Sequence, residues 1–75
     1  MKTLTPKEEE IMTFLSQNGP MFVRQLIELY PEPRPHFNTV STTIRILEEK
    51  GYVSHLKFGN TYQYFAAVSA EEFKR

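Results

Sequence analysis

Asn38, Thr39, Thr42 and Arg45 are the residues of this 75-residue chain whose types and spacing point most directly to a chemistry. Wound as a helix at about 100° per residue, their segment sets these four and Ile46 apart from an apolar side made of Phe37, Val40, Ile44 and Leu47. The polar side carries no acid until Glu48 and Glu49. Asn and Arg make paired hydrogen bonds to purine edges, and Thr offers a hydroxyl or a methyl to pack on thymine, so such a face suits the major groove of DNA. Ser41, Arg24, Lys57, Asn60 and Thr61 add short polar and cationic groups that can meet phosphate oxygens. Each has a plainer reading as well. Arg45 can pair with Glu48 or Glu49 one turn on, Lys57 and Asn60 are common at hairpin tips, and the threonines can simply solvate a helix.

Other chemistries find no residues to carry them. Cysteine is absent, which removes disulfides, thiolate metal sites and a cysteine nucleophile and fits a reducing compartment. His36 and His55 have no third ligand at recognisable spacing, so no metal site is expected. The run Glu8-Glu9-Glu10 sits at a helix start, where carboxylates answer the positive end of the macrodipole rather than acid–base catalysis. Neither a nucleophile–base pair nor a glycine-rich phosphate loop can be assembled. The chain reads as a non-enzyme with no cofactor.

The elements that must position the polar face follow from local signals. Thr5-Pro6-Lys7-Glu8 has the cap, the first-turn proline and the acid of a capping box, and opens a first helix expected to reach about Gln17, with Ile11, Met12, Phe14 and Leu15 on its apolar side. Asn18-Gly19-Pro20 ends it through a left-handed cap and a lost amide donor. Met21-Phe22 is too short to stand alone but can pair as a sheet edge. Val23, Leu26, Ile27 and Tyr30 form the stripe of a short second helix, and Pro31, Pro33 and Pro35 bar any helix from residues 31–35. The third helix is expected from Phe37 or Asn38 to Lys50, halted by Gly51, with His36 helping to start it. Its five β-branched residues between 39 and 44 lower its intrinsic propensity, so packing must hold it. Tyr52–Lys57 and Thr61–Ala66 then flank Phe58-Gly59-Asn60 as a hairpin, with Tyr62 and Tyr64 on one face as packing residues. Ser69-Ala70-Glu71-Glu72 is a second capping box.

Six Phe, four Tyr and a 40% hydrophobic fraction are enough for one compact core despite 24% charged residues. The formal net charge is zero, unusual for a nucleic-acid binder, but it is unevenly spread. Residues 1–32 hold three cations against five acids, a balance of −2, whereas residues 33–67 hold four against two, a balance of +2. A local positive face can steer DNA while the phosphate contribution stays modest. No signal-peptide core and no run of about 18 apolar residues is present, so a cytoplasmic protein without membrane insertion is expected.

Helix, edge segment, helix, connection, helix and hairpin make a mainly α fold with a small β-sheet: a winged helix-turn-helix, three helices plus a hairpin wing, over residues 1–68. Such a fold also serves as a protein-docking module, which stands as the alternative function.

The stretches Leu4–Met12, Gly19–Arg24, Asn38–Thr42, Leu47–Val53 and Tyr62-Gln63-Tyr64 together resemble the penicillinase and methicillin-resistance repressor family. The resemblance implies a transcriptional repressor with its recognition helix at about 37–50, its wing at 52–66, and DNA-facing roles for Thr39 and Thr42. It further implies a homodimer on a palindromic operator of double-stranded DNA, and a membrane sensor protease that cleaves a C-terminal dimerisation region to which residues 69–75 would lead. The family commonly has a basic residue just before the leucine at position 47; here that place is Ile46, and the base is Arg45. Without its dimerisation region the domain is expected to be mainly monomeric and to hold operator only weakly.

Overall fold

The computed structural model describes residues 4–69 and 71. Three helices, α1 (Pro6–Asn18), α2 (Val23–Glu28) and α3 (Phe37–Glu49), combine with three strands, β1 (Met21–Phe22), β2 (Val53–Phe58) and β3 (Thr61–Ala66). This is the winged helix-turn-helix anticipated from the sequence. The second capping box falls largely on residues outside those described.

Thr5 and Glu8 form the capping box of α1. The Glu8 amide donates to the Thr5 hydroxyl (3.2 Å), and the Thr5 amide donates to the Glu8 carboxylate (2.9 Å). Gly19 closes the helix at φ 79°, ψ −163°, not in the left-handed helical conformation the sequence suggested. Only glycine enters that region readily. α2 stops at Glu28, two residues short of the expected Tyr30. There the amides of Leu29 and Tyr30 reach back three residues, to Leu26 (3.0 Å) and Ile27 (3.1 Å). Pro31 disfavours the α conformation for Tyr30, so the last turn tightens instead of continuing. Arg34 then donates to the carbonyls of Tyr30 (3.3 Å) and Glu28 (3.4 Å), covering acceptors left open at that helix end.

α3 ends in a Schellman motif. Gly51 (φ 89°) donates to Glu48, and Tyr52 donates to Leu47, both at 3.0 Å. The motif turns the chain so that Tyr52, 2% exposed, enters the core as β2 begins. That core is the meeting of Ile11, Met12 and Leu15 of α1, Leu26 of α2, and Val40, Ile44 and Leu47 of α3 with the inner sheet face. Truncating a side chain as fully enclosed as Leu47 costs about 2–5 kcal/mol.

β3 lies between β1 and β2 in an antiparallel sheet. The pairing Met21↔Tyr64 ties the segment between the first two helices to the wing, as the edge role for Met21-Phe22 anticipated. Phe58 pairs with Thr61, so Gly59-Asn60 alone makes the turn, one residue tighter than the three-residue connection expected. Directly paired residues share a face. Val53, His55 and Lys57 therefore lie with Ala66, Tyr64 and Tyr62 on the side toward α3, and Leu56 and Phe58 lie on the outer side.

Candidate nucleic-acid interface

α3 presents Asn38, Thr39, Thr42, Arg45 and Ile46 as exposed residues, while Val40, Ile44 and Leu47 are buried. The helical phase read from sequence is thus the one the fold uses. Phe37 departs from it. Expected on the buried side, it is 45% exposed, because it occupies the first turn of α3 at the margin of the stripe, where the Arg24 guanidinium covers its ring at 5.5 Å. His36 takes the N-cap position but makes no side-chain cap bond.

The two flanks of α3 differ. Toward α2 and the wing, a groove of about 520 Å³ is lined by Arg24, Ser41, Arg45, Asn60 and Thr61, with Phe22, Phe37, Tyr62 and Tyr64 among its walls. Five of the nine polar candidates therefore converge on one concavity. Thr39 lies on the opposite flank, in a smaller cleft lined also by Lys7, Glu10, Tyr30, Pro33 and Pro35, where one cation and one carboxylate balance. Thr39 also accepts, through its carbonyl, a bond from the Thr43 hydroxyl at 2.9 Å. Asn38 and Thr42 line neither depression. Lys57 is exposed on β2 near the wing tip, opposite Tyr62. The Thr61 hydroxyl donates to the Phe58 carbonyl (3.1 Å), so it ties the turn and meets a phosphate only by giving up that bond.

Arg45 makes no ion pair with Glu48 or Glu49. The Glu48 carboxylate is held instead by His55, with Oε2 at 2.6 Å from Nδ1. The His55 ring packs between Tyr62 (centroids 4.6 Å apart) and Tyr64 (5.7 Å). Tyr64 is buried as a packing residue, at 5% exposure, whereas Tyr62 is 41% exposed and covers His55 from the solvent side. Burial pushes the Tyr64 phenol above its ordinary pKa, the Glu48 charge adds to that rise, and the charge and hydrogen bond of Arg45 pull part of it back.

Sequence reasoning missed the His55–Glu48 contact, because nothing in the spacing of the two residues announces it. It follows from the direction in which the Schellman turn sends β2 back along α3. Phe37 as a wall of the groove was missed for the same kind of reason. Among the described residues no cluster of three or more His, Cys, Asp or Glu could hold a metal ion, and no helix is long and apolar enough to cross a membrane.

An exposed helix with an acid-free outer face, set beside a hairpin across a groove with cationic walls, defines a winged-helix DNA-binding domain. The chain matches the family model of the penicillinase repressor over residues 4–75, and it belongs to that family of DNA-binding transcriptional repressors. No individual curated protein matches it significantly.

Proposed function

We propose that the chain is a sequence-specific repressor in which α3 enters the major groove of a double-stranded operator while the β2–β3 wing follows the adjoining backbone. The observation that carries this reading is continuity. The outer face of α3 at Asn38, Thr42 and Arg45 runs into the groove that Arg24, Ser41, Arg45, Asn60 and Thr61 line. In this reading Asn38, Thr39, Thr42 and Arg45 address base edges, and Arg24, Ser41, Lys57, Asn60 and Thr61 serve phosphates or the wing's approach.

Residues 1–68 act as the DNA-binding unit. The family likeness extends the proposal to a cytoplasmic homodimer on a palindromic operator, with a membrane sensor protease relieving repression by cutting a C-terminal dimerisation region. Two linked half-site contacts raise avidity by about 10² to 10⁴ over one, which suits a neutral domain with few phosphate contacts.

The test is selection of duplexes from a random-sequence library, followed by titration across salt concentrations. Enrichment of one motif with salt-dependent affinity supports the repressor. Absence of binding even at about 50 mM salt would make the domain a protein-docking module instead.

A further inference from the structure

We infer that His55 is a positioning residue that sets the wing against the recognition helix through Glu48, and so decides whether the wing reaches the DNA that flanks the bases read by α3. The inference rests on the proposal that α3 and the wing bind DNA together.

The sheet and α3 face each other across a short polar seam. On the α3 side stand Arg45 and Glu48, one turn apart. On the sheet side stand Tyr64 and His55, which are direct partners in the β2–β3 register. Glu48 takes His55 at 2.6 Å, and that is the side-chain bond that crosses the seam.

Beyond it, toward the tip, the wing is steadied on its outer face, where Phe58 meets Phe22 of β1 edge-on at 6.1 Å, and its remaining residues are open. Leu56 and Phe58 are 53% and 51% exposed, and Lys57, Gly59, Asn60 and Thr61 are exposed as well. The last contact that fixes the free half of the hairpin to α3 is thus the His55 clasp, with Tyr62 laid over it. A hairpin held at its root and on its outer face by the Phe22–Phe58 pair still tilts toward or away from α3 unless a contact on the α3 side fixes it. With the clasp closed, Lys57 and Asn60 are carried at a set angle to the Asn38–Arg45 face. Both members of the clasp are about one-third exposed, His55 at 35% and Glu48 at 31% of the side chain. Its direct contribution to stability is that of a surface pair and small. Its effect is one of direction.

The full-length protein first selects a duplex from a random library, and backbone cleavage footprints on that duplex are then compared for the natural protein, His55→Ala, His55→Asn and Glu48→Ala. Opening the clasp should remove protection of the flanking backbone while sparing the central bases. The salt slope should fall by about 0.9 for each wing phosphate lost, and thermal melting should stay near that of the natural protein. His55→Asn keeps an N–H donor close to the place of Nδ1 and should recover flanking protection. Glu48→Ala leaves the tyrosine packing of His55 intact, so it reports on the clasp even if His55→Ala folds poorly. It also removes a charge that repels phosphate, so the ratio of flanking to central protection is the quantity read. Unchanged flanking protection in Glu48→Ala overturns the inference alone. Failure of the natural protein to select any duplex overturns the DNA-binding proposal and the inference with it.

Discussion

Lys50, at the C-cap of α3, reaches Glu8 in the first turn of α1 across 42 residues of sequence, with its Nζ 2.9 Å from one carboxylate oxygen and 3.0 Å from the other. Glu8 is 4% exposed and is the buried charged residue of the core. Two helix ends are thereby pinned by one carboxylate, which also accepts the Thr5 amide. Removing the lysine leaves that charge enclosed and poorly paired. Lys50→Met should cost about 2–4 kcal/mol, toward the lower end of what breaking a buried pair costs because the Lys50 side chain keeps 20% exposure. Urea unfolding at neutral pH measures it, and a cost below a few tenths of a kcal/mol would mean the pair is idle.

The same residue sets the acid limb of stability. Burial works to raise the Glu8 pKa, but the Thr5 amide, the Lys50 charge and hydrogen bond, and the Thr5 hydroxyl outweigh it and hold the carboxyl below its ordinary 4.5. A depressed folded-state pKa means stability that is present above 4.5 and drains away as pH falls through the lowered value. Melting temperature should drop on acidification below that point, and Glu8→Gln should flatten the drop while lowering stability at pH 7. An equally steep acid limb in Glu8→Gln would place its origin elsewhere.

Tyr30 makes the opposite kind of signal at alkaline pH. Burial, with the Glu10 carboxylate adding to it, pushes its phenol up to about 12, and its ring meets Phe14 edge-on at 5.1 Å. A raised folded-state pKa contributes stability in full below the ordinary value of 10 that is lost as pH rises toward 12. Ultraviolet titration of phenolate should show a late component, to which Tyr64 also contributes, and Tyr30→Phe should take one phenol out of its latest part. If the late component is unchanged in amplitude by that substitution, the assignment to Tyr30 is wrong.

On a selected duplex, Thr42→Ala and Arg45→Ala should each cost about 1–3 kcal/mol, and much less on random DNA. Arg45→Ala also takes away a partner of Tyr64, so Thr42→Ala is the cleaner readout. Equal losses on both duplexes would assign these side chains to general contact rather than base reading.

Arg24→Ala and Lys57→Ala should each lower the slope of log affinity against log salt by about 0.9 without changing the selected motif. An unaltered slope would return them to ordinary surface roles. For Arg24 that surface role is to cover the exposed Phe37 ring.

What the sequence made legible was local. The Thr5–Glu8 box, the prolines of residues 31–35, the stop at Gly51 and the apolar phase of α3 are all written within a turn or two of where they act. Phe37 lies more exposed than expected because a helical wheel assumes a neighbour along the whole stripe, and at Phe37 the covering group is the Arg24 guanidinium. Tyr62 packs on His55 and Tyr64 from the expected face yet stays 41% exposed, because period-two alternation tells which face a residue is on and not how far that face stays covered. Glu8–Lys50 and His55–Glu48 depend on how α1 and β2 return to α3, and pairwise spacing holds no record of that.

The strand order leaves β2 with one side paired to β3 and the other side unpaired. Along Val53–Phe58 that open side is accompanied by two outward apolar residues, Leu56 and Phe58, with Lys57 as the single formal charge between them. Such an edge is a template for strands of other molecules, and a lysine in it is the usual deterrent to aggregation. Lys57 therefore keeps neighbouring molecules apart as well as offering a cation to a phosphate, and light scattering from concentrated Lys57→Ala should rise before its affinity for DNA is ever measured.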